Sequence, residues 1–472
     1  MPTMIRPDLI VRGRRVVTPE GVRPAAIHIR GGRIDRVAPY DEVPKGSHVI
    51  EGGTSVVMPG VVDTHVHANE PGRTDWEGFA FATRAAAAGG VTTIVDMPLN
   101  SIPATTSRAA LLEKIMAAET QSHIDVGFWG GIVPANARDG AEISGMLADG
   151  VLGFKAFMLP SGVDEFPGVG EADMRAAMVE IARRGGVLLV HAEMPDAIEE
   201  AASSAWDGAG PVELREYSRW LRARPEVAEV EAVERMIKLS RETKCRVHIV
   251  HLSAAASLRP LREARAEGVH VTAETAPHYL TFCAEEIPDG AVPFKCAPPI
   301  RTRADREGLW EGLRTHDIDL IASDHSPCPP ALKGLDTEDP RGDFRAAWGG
   351  VSSLQVTLPA VWSAARERGF SVTDVANWMC GAPARLAGIS DRKGAIVAGR
   401  DADLVIWEPE VRWTIQPNAL QHRHKLTPYA GRTPFGVIRC TLLRGETVFD
   451  DGALLDRPIG RPLLHREARG AR

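Results

Sequence analysis

The chain has 472 residues, 44% of them hydrophobic and 25% charged, with a formal net charge of -7. That is too long for one small domain, and long enough for a barrel of about 250 residues plus a second unit. The balance supplies no basic field for nucleic acid and no polybasic patch for a membrane surface. The start, "MPTMIRPDLIVRGRRVV", has no apolar stretch followed by a small-residue cleavage site, so no secretory leader is expected. No apolar run approaches the roughly 18 residues of a membrane span. Six cysteines (Cys245, Cys283, Cys296, Cys328, Cys380 and Cys440) are scattered without a CxxC pair and read as reduced thiols. A cytoplasmic protein is expected.

In chain order, "LIVRGRRVVTP", "AAIHIRGGRIDRVAP" and "HVIEGG" come first, short β-branched runs between Gly and Pro breaks. The same texture returns near the C-terminus in "ADLVIWEP", "VRWTI" and "GVIRCTLLRGETVFDDG". Between them lie eight apolar runs: "SVVMPGVVDTHVH", "GVTTIVDMP", "HIDVGFWGG", "VLGFKAFM", "GVLLVHAE", "CRVHIVHLS", "VHVTAETAPH" and "DIDLIASDHS". Helix-like segments such as "WEGFAFATRAAAAG", "EADMRAAMVEIARRGG" and "EVEAVERMIKLSRETK" separate most of them. Near-continuous apolar runs alternating with helices predict parallel strands buried on both faces, and eight such units close a (β/α)8 TIM barrel. The predicted class is therefore α/β. The barrel spans 56–389, a β-sandwich domain forms from 1–55 and 390–455, and 456–472 is a polar, loosely held tail.

Barrel enzymes carry their catalytic groups at the C-terminal ends of the strands. The first strand ends on His65 and His67, whose spacing of two puts both on one face. The fourth carries Lys155, the fifth His191, the sixth His251 and the eighth Asp324. A lone His191 or His251 is ordinarily a satisfied core histidine, and Asp324 alone could cap a helix. Four histidines and an aspartate at proposed strand ends are instead what a zinc-like divalent ion takes. Lys155, among apolar neighbours in "GVLGFKAFM", would be repelled by a metal as an ammonium. As a neutral amine it can add carbon dioxide to give a carbamate, an anion with two oxygens able to bridge two metals. A buried Lys–carboxylate pair or a Schiff-base lysine are the other uses of such a residue. His248, three residues before His251, points away from that face and reads as a core residue or a support for a ligand. Thr92 and Thr93 read as strand packing.

The set HxH, Lys, His, His, Asp resembles the cyclic amidohydrolases: dihydroorotases, dihydropyrimidinases (hydantoinases) and allantoinases. The likeness runs from about "GRRVV" to "RGETVF" and lies nearest the bacterial allantoinase subgroup, through "EPGRTDWEG", "DMPLN", "ETAPHYL", "KCAPPIR", "SDHSPCPP", "WGG" and "RHKLTPYAGR". The resemblance implies that His65, His67 and Asp324 hold one metal, His191 and His251 the second, and N6-carboxylated Lys155 bridges both. It implies two divalent ions, zinc first among them, a bridging water or hydroxide as nucleophile, Asp324 as proton shuttle, and a homotetramer. The dihydroorotase pattern HxHLREPG has an arginine that grips a substrate carboxylate. "HVHANEPG" has Asn69 there, which cannot form a charged bidentate clamp. The dihydropyrimidinase pattern has a tyrosine shortly after the lysine, and "FKAFMLPSG" has none.

A neutral ureide such as allantoin, opened to allantoate, fits both departures. A dihydropyrimidinase or hydantoinase activity is the alternative, and a non-catalytic scaffold is a third reading that the complete ligand set opposes. Arg73 and Glu70, beside the Pro-Gly turn, either orient substrate or pair with each other. Ala297 and Gly349, in "APPIR" and "WGG", are expected to meet a ureide through main-chain groups.

Overall fold

The computed structural model describes residues 7–336 and 342–465. All eight predicted barrel strands form: Val61–Val66, Val91–Asp96, Asp125–Phe128, Phe154–Phe157, Val187–His191, Arg246–Ile249, Val271–Thr275 and Leu320–Ile321. Each pairs in parallel with the next. The third is continued past the buried Trp129 by Gly130–Gly131, which pairs with the fourth. The ring closes between the eighth strand's extension and the first. Val66 bridges His325, the His67 N–H donates to the His325 carbonyl at 2.9 Å, and the Ser323 N–H donates to Asp63 Oδ1 at 3.1 Å. The strands are buried along nearly their whole length because helices cover them outside and side chains fill the inside.

The three quoted helix-like segments fall on the helices Phe79–Ala88, Glu171–Arg183 and Glu226–Thr243, the last beginning three residues before its quoted segment. Arg303–Arg314 shows how such a helix is specified. Thr302 and Asp305 cap it reciprocally, and Leu309, Trp310 and Leu313 make its buried stripe. A cap of this kind stabilises by about 1 kcal/mol. Among the described residues no helix is long and apolar enough to cross a membrane, and all six cysteines are buried and unpaired.

The first predicted barrel strand is in fact two strands. Val49–Pro59 belongs to another sheet, and the chain enters the barrel only at Val61. Gly60 makes the junction: a Cβ there would lie 2.2 Å from the Thr92 hydroxyl oxygen, so only glycine allows the close approach. Thr92 and Thr93 are buried packing residues.

Both chain ends build one eight-stranded sheet, in the order Ala453–Leu454, Glu446–Asp450, Phe435–Leu443, Leu404–Arg412, Val49–Pro59, Leu9–Thr18, Gly21–Arg30, Arg33–Ala38. The two layers expected of a sandwich thus come from a single sheet that curls on itself. Its Gly31–Gly32 hairpin turn (φ 58° and 76°) comes up against Arg444 of the Leu443–Glu446 turn. The fold encloses a core of Leu9, Val11, Ile27, Val57, Leu404 and Leu442. Lys393 ties this sheet to the barrel, donating to Asp125 at 2.6 Å and to Asp403 at 2.5 Å.

The tail needs a correction. Pro462–Leu463 pairs in parallel with Asp125–Phe128, and Leu463 is fully buried. It fills the edge that the third strand leaves open before Gly130–Gly131 takes up pairing with the fourth. The remainder, 466–472, lies outside the described residues.

Candidate metal centre

Strand alternation places Asp63, His65 and His67 on one face, and Asp63 is spent on closing the barrel. His65 and His67 reach inward with ring centroids 5.6 Å apart. Lys155 sits within the fourth strand and His191 ends the fifth. His251 and Asp324 lie just beyond the sixth and eighth strands with φ of 40° and 47°. Such left-handed backbone is uncommon outside glycine and costs about 1–3 kcal/mol, and here it turns both side chains toward the barrel axis. His65 Nε2 is 3.3 Å and His67 Nε2 3.8 Å from Asp324 Oδ1. The His251 ring lies 5.3 Å from His65 and 4.6 Å from His191. Phe157 stacks on His191 at 4.6 Å. The structure therefore brings together all six residues proposed as ligands.

A ring of carboxylates orients them. Glu274 accepts from His65 Nδ1 at 2.5 Å and from His248 Nε2 at 3.1 Å. Glu193 accepts from His191 Nε2 at 2.6 Å and from Arg224 at 2.7 and 3.1 Å. Each bond fixes a tautomer and leaves the other ring nitrogen, His65 Nε2 or His191 Nδ1, with a free lone pair. Burial would raise Glu193, but Arg224 and His191 outweigh it and hold the carboxyl at about 2. Burial likewise opposes the Glu274 charge, and His65 and His248 keep it well below the usual range. Burial pushes His67 and His251 far down and His191 to about 4, so these imidazoles are neutral near pH 7. It also raises Asp324, against the pull of His65 and Lys155.

Lys155 is fully buried, and burial lowers its amine to about 7 against the charges of Glu274 and Asp324. Among the described residues its Nζ has no hydrogen-bond partner, so it is not bonded to a carboxylate there. His251 Nδ1 is also unpartnered. Ligand atoms of His65, His67 and Asp324 lie within 4.8 Å of one another. Neutral imidazoles, a carboxylate and an orphaned, readily neutral amine are a donor set that fits two divalent ions with a carbamate between them. Asp125, Asp401 and Asp403 also cluster, but Lys393 already sits among them.

A cavity of about 300 Å³ opens onto this centre, lined among others by Phe157, Trp220, Arg224, Lys295, Ala297, Trp348 and Gly349. Ala297 and Gly349, the two loop residues singled out in the sequence, both line it. Asn69 and Arg73 are not among its lining residues. Asn69, at φ 62°, is a turn residue whose amide donates to the Pro327 carbonyl at 3.2 Å. Arg73 pairs with Glu165, donates to the Asn100 carbonyl at 3.0 Å and lies against Trp76. Glu70 does not pair with Arg73 either; it accepts from the Phe79 N–H at 2.8 Å and from Gln121 at 3.1 Å.

The sequence matches the Amidohydrolase family over residues 56–448. It is 49% identical to the allantoinase of Streptomyces avermitilis over 98% of this chain and 99% of that protein. It is 42% identical to the allantoinase of Arabidopsis thaliana, covering 94% and 88% of the two chains. Among solved structures, the L-hydantoinase (dihydropyrimidinase) from Arthrobacter aurescens superposes with a TM-score of 0.90 at 30% identity, over 97% and 99% of the chains. The chain belongs to the amidohydrolase family.

Amidohydrolases generally use a binuclear metal centre, and the converging residues described above stand where this chain would hold one. The residues that orient its ligands were not legible in advance. Glu274 lies in "TAET" and Glu193 in "HAE", carboxylates inside apolar runs. That oddity was the available signal, since a buried carboxylate demands a partner. Trp220, Arg224 and Lys295 come from loops and helices whose sequences carry no such mark.

Proposed function

We propose that this chain is an allantoinase, hydrolysing the ring amide C–N bond of allantoin to give allantoate. The observation that carries the substrate is the near-full-length 49% identity to a protein named for that activity. The missing tyrosine is consistent with it, because the aromatic residue following Lys155 is Phe157, packed on His191. His65, His67 and Asp324 would hold one ion, His191 and His251 the second, and N6-carboxylated Lys155 would bridge them, with zinc the ion these donors suit best. Such a pair, when bound, would supply hydroxide near neutral pH and would polarise the amide carbonyl.

The protein's own residues do the rest. Asp324 accepts the proton of the attacking water and returns it to the leaving ring nitrogen. Its burial, which raises its affinity for a proton, suits both halves of that transfer. Glu274 and Glu193 keep imidazole lone pairs aimed at the centre. Ala297 and Gly349 offer main-chain groups to the alternating N–H and C=O edge of a ureide.

Initial rates of the zinc- and bicarbonate-supplemented protein on allantoin, dihydrouracil and hydantoin test the assignment. Allantoin is expected to turn over far faster. A faster dihydropyrimidine or hydantoin would instead favour the hydantoinase reading, which the 0.90 TM-score keeps as the second choice. We further infer a cytoplasmic homotetramer, and elution as a monomer over a range of concentrations would contradict that assembly.

A further inference from the structure

The cavity wall from Ala347 to Gly350 has an unusual hydrogen-bond pattern. The Ala347 carbonyl accepts from Lys295 Nζ at 2.5 Å, the Trp348 carbonyl from Lys333 Nζ at 2.8 Å, and the Gly350 carbonyl from Lys333 Nζ at 2.9 Å. The Ala347, Trp348 and Gly350 N–H groups donate to the carbonyls of Asp343, Leu332 and Lys295. Gly349 alone in this run has neither its N–H nor its C=O bonded among the described residues.

Peptide planarity says where those two free groups point. In a trans peptide the C=O and the following N–H are antiparallel. Lys333 holds the Trp348 carbonyl on one side, so the Gly349 N–H faces the other. The Gly350 N–H, bonded to the Lys295 carbonyl at 2.8 Å, sends the Gly349 C=O away from that bond in the same manner. Gly349 lines the cavity, and a Cβ built there would meet nothing nearer than Cys296 Cα at 3.9 Å. The space beside it is open, and its donor and acceptor are the free ones.

Lys333 itself does not line the cavity and is almost fully buried. Its ammonium bonds only carbonyl oxygens, Val292 at 3.4 Å being the third, and no carboxylate pairs with it among the described residues. A buried cation without a counter-charge is an expensive way to hold a loop. A single apolar side chain would fill the same volume, but it would leave two carbonyls free to rotate.

We propose that Lys333 is a positioning residue for substrate recognition: by pinning the Trp348 carbonyl, and the Gly350 carbonyl beyond it, it holds this loop so that the free Gly349 N–H is aimed at a cyclic ureide. This rests on the reading of the chain as a cyclic-ureide hydrolase.

Lys333→Met removes the donors while keeping the side chain's length and volume. The expected result is a rise of about tenfold in KM for allantoin, the worth of one hydrogen bond, with kcat within about twofold. Uniform binding lost from substrate and transition state alike shows in KM alone. Metal content and melting temperature report separately on the fold, and both should stay near wild type. A Lys333→Met protein with full metal content and an unchanged KM would overturn the inference, as would a loss confined to kcat. If that variant cannot load metal, Lys333→Gln decides, since its amide nitrogen, one bond nearer the backbone, cannot reach both carbonyls. A several-fold rise in KM is then expected, and a wild-type KM would be fatal to the idea. A wild-type protein inactive on allantoin sinks the ureide reading itself, whereas an active one with insensitive variants sinks only the part given to Lys333.

Discussion

Glu274→Gln removes one charge and leaves the shape nearly unchanged. The native carboxylate accepts two imidazole hydrogens, from His65 at 2.5 Å and His248 at 3.1 Å. A glutamine offers one acceptor and one donor group, so one of the two histidines must move its proton to the other ring nitrogen. If His65 does so, the nitrogen facing Asp324 carries a hydrogen and cannot bind metal. If His248 does so, its Nδ1, 2.8 Å from the Thr272 hydroxyl, can accommodate the proton. His65 is then kept in place by a neutral bond instead of a charge-assisted one.

Hydrogen bonds to charged groups are worth about 1.5–3 kcal/mol against about 0.5–1.5 for neutral ones. Loss of such an outer partner typically lowers metal affinity by about 10–100-fold, or about 1.4–2.7 kcal/mol. Titrating the apo protein with zinc against a competing chelator measures this directly. Glu274→Gln is expected to bind about 10–100-fold more weakly and to regain part of its rate at high zinc. Wild-type affinity in the variant would refute the reasoning that Glu274 sets the His65 tautomer.

Lys155→Ala is expected to lose most of its metal and activity, with partial rescue by short carboxylic acids; wild-type metal content in that variant would remove the bridging role. Asp324→Asn is expected to lower turnover by orders of magnitude, since on the proposed mechanism it removes a ligand charge and the proton carrier together, and an unchanged rate would take Asp324 out of that mechanism. The folded protein holds His278, His325 and His422 at about 3 through burial, against an ordinary 6.5. Between those values the unfolded chain binds more protons, so stability is complete above about pH 6.5 and falls as pH drops toward 3. Denaturant unfolding at pH 7.5, 6 and 5 should show a monotonic decline, and a flat profile would contradict it. Lys393→Met leaves Asp125 and Asp403 buried without their shared cation, and a loss of about 3–5 kcal/mol is expected; a change below about 1 kcal/mol in equilibrium unfolding would show that the link between sheet and barrel is dispensable.

Much of this architecture is local information. An apolar run ending in a polar residue marks a buried strand and its C-terminal mouth wherever it occurs. Eight such runs therefore place His65, His67, Lys155, His191, His251 and Asp324 in or beside barrel strands from the sequence alone. Alternation at period two failed for His248: its Nε2 donates to Glu274 at 3.1 Å from inside the barrel, because the strand ends at Ile249 and the left-handed turn at His251 breaks the period.

What local pattern could not carry was pairing across the barrel. Glu274 meets His65 from 209 residues away, and Arg224 reaches Glu193 across 31. The register that brings them together exists only once the ring has closed. Asn69 and Arg73 likewise take their partners from closure of the barrel: the Asn69 amide donates to the Pro327 carbonyl 258 residues on, and Arg73 pairs with Glu165. The Pro462–Leu463 strand looked like a tail because its partner is 336 residues earlier, at Asp125–Phe128. Residue chemistry was thus settled by sequence, and partnership by closure of the barrel, because hydrogen bonds between distant strands depend on a geometry that no short window of sequence contains.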